Sequence, residues 1–182
     1  MKRLPVLPPW IWVRRFRQRC GYGVHSPFAF DFITGVIYER GMFYAFKELD
    51  ALLPGHVRTF NLRPRRLLRL LFRLANYSEA RKAAFLGSDP LALAFMKAAI
   101  PQAEWSTEYT EPTDLVYLSQ PMAEGSPLPQ AKMIIVDDLL HNKAAFEALK
   151  KDEHTTLSFD LYDLGIIMQG LKLNIAHYIV NF

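Results

Sequence analysis

The spacing of apolar positions changes part-way along the chain. Over residues 26–76 they recur at helical intervals. Phe28, Phe32, Ile33, Val36 and Ile37 fall on one side of "PFAFDFITGVIYER", and Ser26-Pro27 supplies an N-cap and a first-turn proline. A second helix is predicted over residues 42–53, with Phe43, Phe46, Leu49 and Leu53 on one stripe and Pro54-Gly55 as its stop. A third is predicted over residues 64–76, with Leu67, Leu70, Leu71 and Leu74 on one face and Arg65, Arg66, Arg69 and Arg73 on another. The leucines are expected inside and the arginines largely exposed.

After residue 82 the apolar residues come in short runs separated by turns. "KAAFLG", "DLVYLS" and "KMIIVDD" read as strands, with helices at "PLALAFMKAAI", capped by Asp89, and at residues 142–151. "TTLSFDLY", "LGIIMQ" and "AHYIVNF" read as three closing strands whose close spacing predicts an antiparallel meander. Helices first, then alternating strand and helix, then strands again predict an α/β fold with an N-terminal helical extension, divided as residues 1–80 and 81–182.

Composition narrows the class. With 51% apolar residues the 182-residue chain can bury a real core, and no apolar run approaches the ~20 residues of a membrane span. The N-terminus lacks the pattern of a signal peptide, and the lone Cys20 excludes an internal disulfide, so a cytoplasmic location is expected. Charge is lopsided: residues 1–82 carry 16 Lys/Arg against 5 Asp/Glu, and residues 83–182 carry 6 against 13. Two alternatives follow: the halves attract each other, or the basic half meets an anionic partner. The arginine face has the same alternatives: a solvated face, pairing with the acidic half, or a grip on phosphates. "WIWVRRFRQR" mixes aromatics with arginines as interfacial helices do, although helix packing would also use Trp10 and Trp12.

The segment "KAAFLGSDPLALAFMKAAIP" has the form of a nucleotide-binding unit, a strand leading through a glycine turn into a helix. Gly87 stands alone there, followed by Ser88, Asp89 and Pro90.

"YGVHSPFAFDFITGVIYE", "YAFKELDALL" and "LLRLLFRLANY", with "MIIVDDLLHNKAAFEALKKDEHTTLSFDLYDLGII" near the other end, resemble a group of bacterial class I S-adenosylmethionine-dependent methyltransferases of O-methyltransferase type. The resemblance implies a Rossmann-like sheet and a cofactor loop of E-x-G-x-x-x-G form. It places Gly87 and Ser88 in that loop, Glu108 (21 residues beyond Gly87) on the cofactor ribose, and Ser119 where the family tends to carry an aspartate. Asp137, Asp138 and His141 would serve the methyl acceptor, and His25 would either face it or anchor its helix. Asp137 and Asp138 alone make a poor Mg²⁺ site, so no metal is expected.

The middle of the chain departs from the family. A βαβ unit takes roughly 30 residues, yet only 55 residues separate Lys82 from Asp137. At least one strand–helix unit is expected to be missing and another helix to have become a loop, giving a shortened sheet. Three functions follow as alternatives: a methyltransferase-like protein with lost or impaired cofactor binding that acts through protein contacts or as a homo-oligomer; an active minimal enzyme; or a basic adaptor for nucleic acid or an anionic membrane surface.

Overall fold

The computed structural model describes residues 24–55, 63–122 and 126–182. Cys20 and the "WIWVRRFRQR" segment lie outside the described residues.

Helix α1 (Pro27–Phe32) opens as its sequence requires, with the Ser26 hydroxyl accepting the Ala29 amide at 3.3 Å and proline in the first turn. It continues as a π-helical turn, Ile33–Ile37, which the Tyr38 amide closes by donating to the Ile33 carbonyl. The predicted second helix is shorter than its stripe, α2 (Phe46–Ala51), while the third is longer, α3 (Arg63–Ser78). There follow β1 (Lys82–Leu86), α4 (Pro90–Ala99), β2 (Glu104–Ser106), β3 (Thr113–Leu118), β4 (Ala131–Asp137), α5 (Leu139–Lys151), β5 (Thr155–Asp160), β6 (Leu164–Gln169) and β7 (Ala176–Ile179). The strands form one mostly parallel sheet in the order β2-β1-β3-β4-β6-β5-β7, a Rossmann-like arrangement.

The sheet has seven strands, and the crossovers in the middle of the chain are short. Among the described residues no helix lies between β2 and β3 or between β3 and β4. Six residues, 107–112, carry the chain from β2 past β1 to β3. This is far fewer than the dozen a parallel crossover normally takes. It suffices because β2 is three residues long and Ser106 pairs with Ala84, so the chain has little distance to return.

The closing strands correct one expectation. β5 and β6 pair antiparallel as predicted, but β7 runs parallel to β5, so there is no meander. Strand β6 lies between β4 and β5 and has no free edge. The chain therefore steps over the start of β5 to reach the next free edge.

The two faces of the sheet are covered unequally. Phe85, Tyr117, Ile135, Phe159 and Ile166 share a core with α1, the π-helical turn, α2, α3 and α4. On the other face Ala84, Val116, Ile134 and Ile167 pack with Leu139, Phe146 and Leu149 of α5, and with Tyr109, Met122 and Leu128 from the irregular connections. Phe146 sits directly on Gly165, where an added Cβ would meet its ring at 2.5 Å. One helix and two connections thus do on this face what several helices do on the other.

The arginine face of α3 does not point to solvent. Arg66 alone of the four is exposed. Arg65 and Arg69 share the Asp50 carboxylate at 2.6 and 2.5 Å, and buried Arg73 donates to the Val36 and Ile37 carbonyls at 2.7 and 2.9 Å. The carbonyls at the end of the π-helical turn and one carboxylate on α2 supply partners that helical spacing could not show. Leu70, Leu71 and Leu74 are buried as expected, and so are Leu68, Phe72 and Ala75, because α3 is enclosed on more than one side.

Candidate functional site at the carboxyl ends of the strands

β1 leads by α4 to β2 on one side, and the chain then crosses to β3 on the other. Such a reversal opens a crevice beyond the strand ends. A cleft of about 780 Å³ lies there, lined by Ser88 after β1, Ser119 after β3, Asp137 and Asp138 at the end of β4, and His141 on α5. The structure therefore brings together five of the eight candidate site residues named from the sequence. Asp89 and Asp163 also line the cleft.

Glu108 is not among the lining residues. It is exposed two residues beyond the end of β2, with its amide donating to the Ser106 hydroxyl at 3.0 Å. The strand that would have carried it to the cleft ends too early.

Gly87 is held by packing. A Cβ there would overlap Ser119 Oγ and come within 3.1 Å of Tyr117 and 3.3 Å of Phe85. The rings of Phe85 and Tyr117 are themselves stacked, 4.5 Å between centroids. The glycine is needed for the approach of this chain's own side chains.

The polar centre of the cleft is a chain of hydrogen bonds. Buried Tyr117 donates its hydroxyl to Asp137 Oδ2 at 2.6 Å, and the Asp138 amide donates to Asp137 Oδ1 at 2.9 Å. Burial pushes the Asp137 carboxyl above its ordinary value, against the opposing effect of the Tyr117 hydrogen bond. Burial, and then the Asp137 charge, push the Tyr117 hydroxyl far up, so it remains a donor. Asp138 adopts a left-handed backbone, φ 52°, which aspartate tolerates better than most residues. Its carboxylate oxygens lie 2.9 Å from His141 Nδ1. Asn142, buried in the first turn of α5, donates to the Asp137 carbonyl at 2.7 Å and has non-helical dihedrals.

Asp89 caps α4, its carboxylate accepting the Leu91 and Ala92 amides at 2.9 and 3.2 Å. The sequence showed that capping role but not that the same turn borders the cleft. Asp163 was missed altogether, since it reaches the cleft from the β5–β6 turn, over twenty residues beyond His141. With Asp89, Asp137, Asp138 and Asp163 and no lysine or arginine among the described residues that line it, the cleft favours a cationic occupant over an anionic one. No group of three or more potential ligands close enough to hold a metal ion occurs among the described residues.

Two histidines outside the cleft also have partners. His154 Nδ1 lies 3.0 Å from Asp152, and His177 Nδ1 lies 2.8 Å from Ser158 Oγ. His25 is exposed just before α1. Among the described residues no helix is long and apolar enough to cross a membrane.

The fold and the cleft define a Rossmann-like α/β protein with a crevice at its topological switch point. No protein-family model matches the sequence, and no curated protein matches it.

Proposed function

We propose that the chain is a methyltransferase-like scaffold in which S-adenosylmethionine binding is lost or impaired, and that it acts through protein contacts. The observation that carries this reading is at Gly87, where Ser119, Tyr117 and Phe85 take the side of the backbone that a side chain would occupy. A glycine with a packing role does not imply a ligand. Glu108, exposed and outside the cleft, supports the same reading, because the ribose contact expected of it would be worth about 1.5–3 kcal/mol.

The open cleft favours a second reading, an active minimal O-methyltransferase. Its acidic lining suits a sulfonium donor, and methyl transfer depends more on alignment than on acid–base chemistry. Asp137, Asp138 and His141 would then orient the acceptor. The basic-adaptor reading is weaker, because Arg65, Arg69 and Arg73 are engaged within the protein instead of being displayed along a surface.

Calorimetric titration with S-adenosylmethionine and S-adenosylhomocysteine separates the first two. No saturable heat is expected at millimolar ligand, which corresponds to less than ~4 kcal/mol of affinity. Saturation below that concentration would overturn the proposal and favour the active enzyme.

A further inference from the structure

A second cleft, of about 580 Å³, lies between the end of the π-helical turn and α3 and shares no lining residue with the first. Arg40, Arg66, Arg69 and Arg73 line it, and Glu39 is the one carboxylate side chain among the described residues that do. Positions 66, 69 and 73 fall on one face of α3 and so reach the recess together.

Three of the four guanidiniums, those of Arg66, Arg69 and Arg73, are held in place before any ligand arrives. Arg69 lies 4.7 Å above the Phe46 ring and Arg66 lies 4.9 Å above the Phe182 ring. Arg73 is anchored by two backbone carbonyls, which are neutral, so its charge has no bonded carboxylate counterpart. Burial, partly offset by Glu39, brings Arg73 down to about 10, and it stays cationic at neutral pH. Asp50, beside the recess, serves both Arg65 and Arg69.

We propose that this recess binds a phosphoryl group carried by a small molecule. Arginine forks match phosphate oxygens in geometry as well as charge, and rings under two of them limit the entropy lost on binding. A recess of this volume suits a compact ligand, whereas a nucleic-acid backbone would follow an extended basic surface. The site is separate from the aspartate-lined cleft, and its charge is of the opposite sign.

The test is calorimetry of the full chain with inorganic pyrophosphate at about 0.15 M ionic strength, where long-range surface attraction is screened. One saturable site is expected. Arg40→Gln and Arg66→Gln should each weaken it about fivefold, the effect of one lost charge-assisted contact. Glu39→Gln should tighten it, because a repelling charge is removed. Lys97→Gln and Lys143→Gln, exposed and outside the recess, should leave it unchanged. Arg40 and Arg66 are both exposed, so these variants do not depend on replacing the buried Arg73. Absence of saturable heat would overturn the proposal. So would equal losses in the two lysine variants, or a single-stranded oligonucleotide that binds more tightly and that pyrophosphate cannot displace.

Discussion

At the scale of single residues, the contacts among Gly87, Ser119, Tyr117 and Asp137 can be tested by substitution. Gly87→Ala forces a Cβ onto Ser119 Oγ and is expected to cost about 1–3 kcal/mol, as overpacking does. Ser119→Ala in the same chain removes the worst overlap and should return part of that loss, a coupling that urea denaturation of the two single variants and the double variant would measure. Equal stability of wild type and Gly87→Ala would show that the contact relaxes freely. Tyr117→Phe removes the hydroxyl donor to Asp137 and should cost about 1.5–3 kcal/mol at neutral pH, where the buried carboxylate is left short of a partner. Asp137 holds its proton more tightly in the folded than in the unfolded chain, so its own contribution to stability grows as pH falls. The Tyr117→Phe penalty should therefore shrink as the pH approaches the ordinary carboxyl value of 3.8. A penalty that does not vary with pH would mean the hydroxyl acts through packing alone.

Among the elements, α3 depends on charges that its own sequence does not contain. Burial opposes ionisation of Asp50, but hydrogen bonds and charge from Arg69 and Arg65 outweigh this and hold its carboxyl below 3.8. The stability it contributes is complete above that value and is lost as pH falls through the lower, folded value. Asp50→Asn should flatten this acid limb of the pH–stability curve, and an unchanged limb would show that the ion triad contributes nothing net. The element also marks how far the sequence could be read. Helical periodicity located α1, α2 and α3, and the Asp89 and Ser26 caps were legible because capping is a local interaction. The partners of Arg65, Arg69 and Arg73 lie some 15 to 37 residues away, on elements whose angle to α3 no local pattern reveals. The same limit explains the site. Ser88, Ser119, Asp137, Asp138 and His141 were legible because each follows a strand in the pattern, whereas Asp163 enters from a hairpin on a neighbouring strand pair. Glu108 was placed by spacing alone, and spacing cannot show that β2 stops at Ser106. The parallel pairing of β7 depends on which sheet edge is left free, which is a property of the completed sheet.

For the molecule as a whole, the question is whether the helical extension and the α/β part fold as one unit. The core on the first face runs without a break from Ala29 and Phe32 through Leu70 and Leu74 to Phe159, Val180 and Phe182. Phe32 touches Phe159 at 4.9 Å between ring centroids, and the Tyr38 hydroxyl donates to the Asn181 carbonyl. Arg66 covers Phe182, so the last residues of the sequence tie α3 and the π-helical turn to the sheet edge. Removing residues 180–182 exposes partners of two buried apolar side chains, each worth about 1.5–3 kcal/mol. A total of about 3–6 kcal/mol is a large fraction of an ordinary folding free energy of about 5–15 kcal/mol. The expected outcome is that the truncated chain loses stability in its helices and in its sheet together. Replacing Trp10 and Trp12 by Phe leaves Trp105, beside β1, as the one fluorescent indole, while far-ultraviolet circular dichroism follows the helices. In urea the two signals should give coincident transitions before truncation and shift together after it. Two separated transitions, with only the helical signal moved by truncation, would show instead that the extension is an independent layer fastened to a self-sufficient sheet.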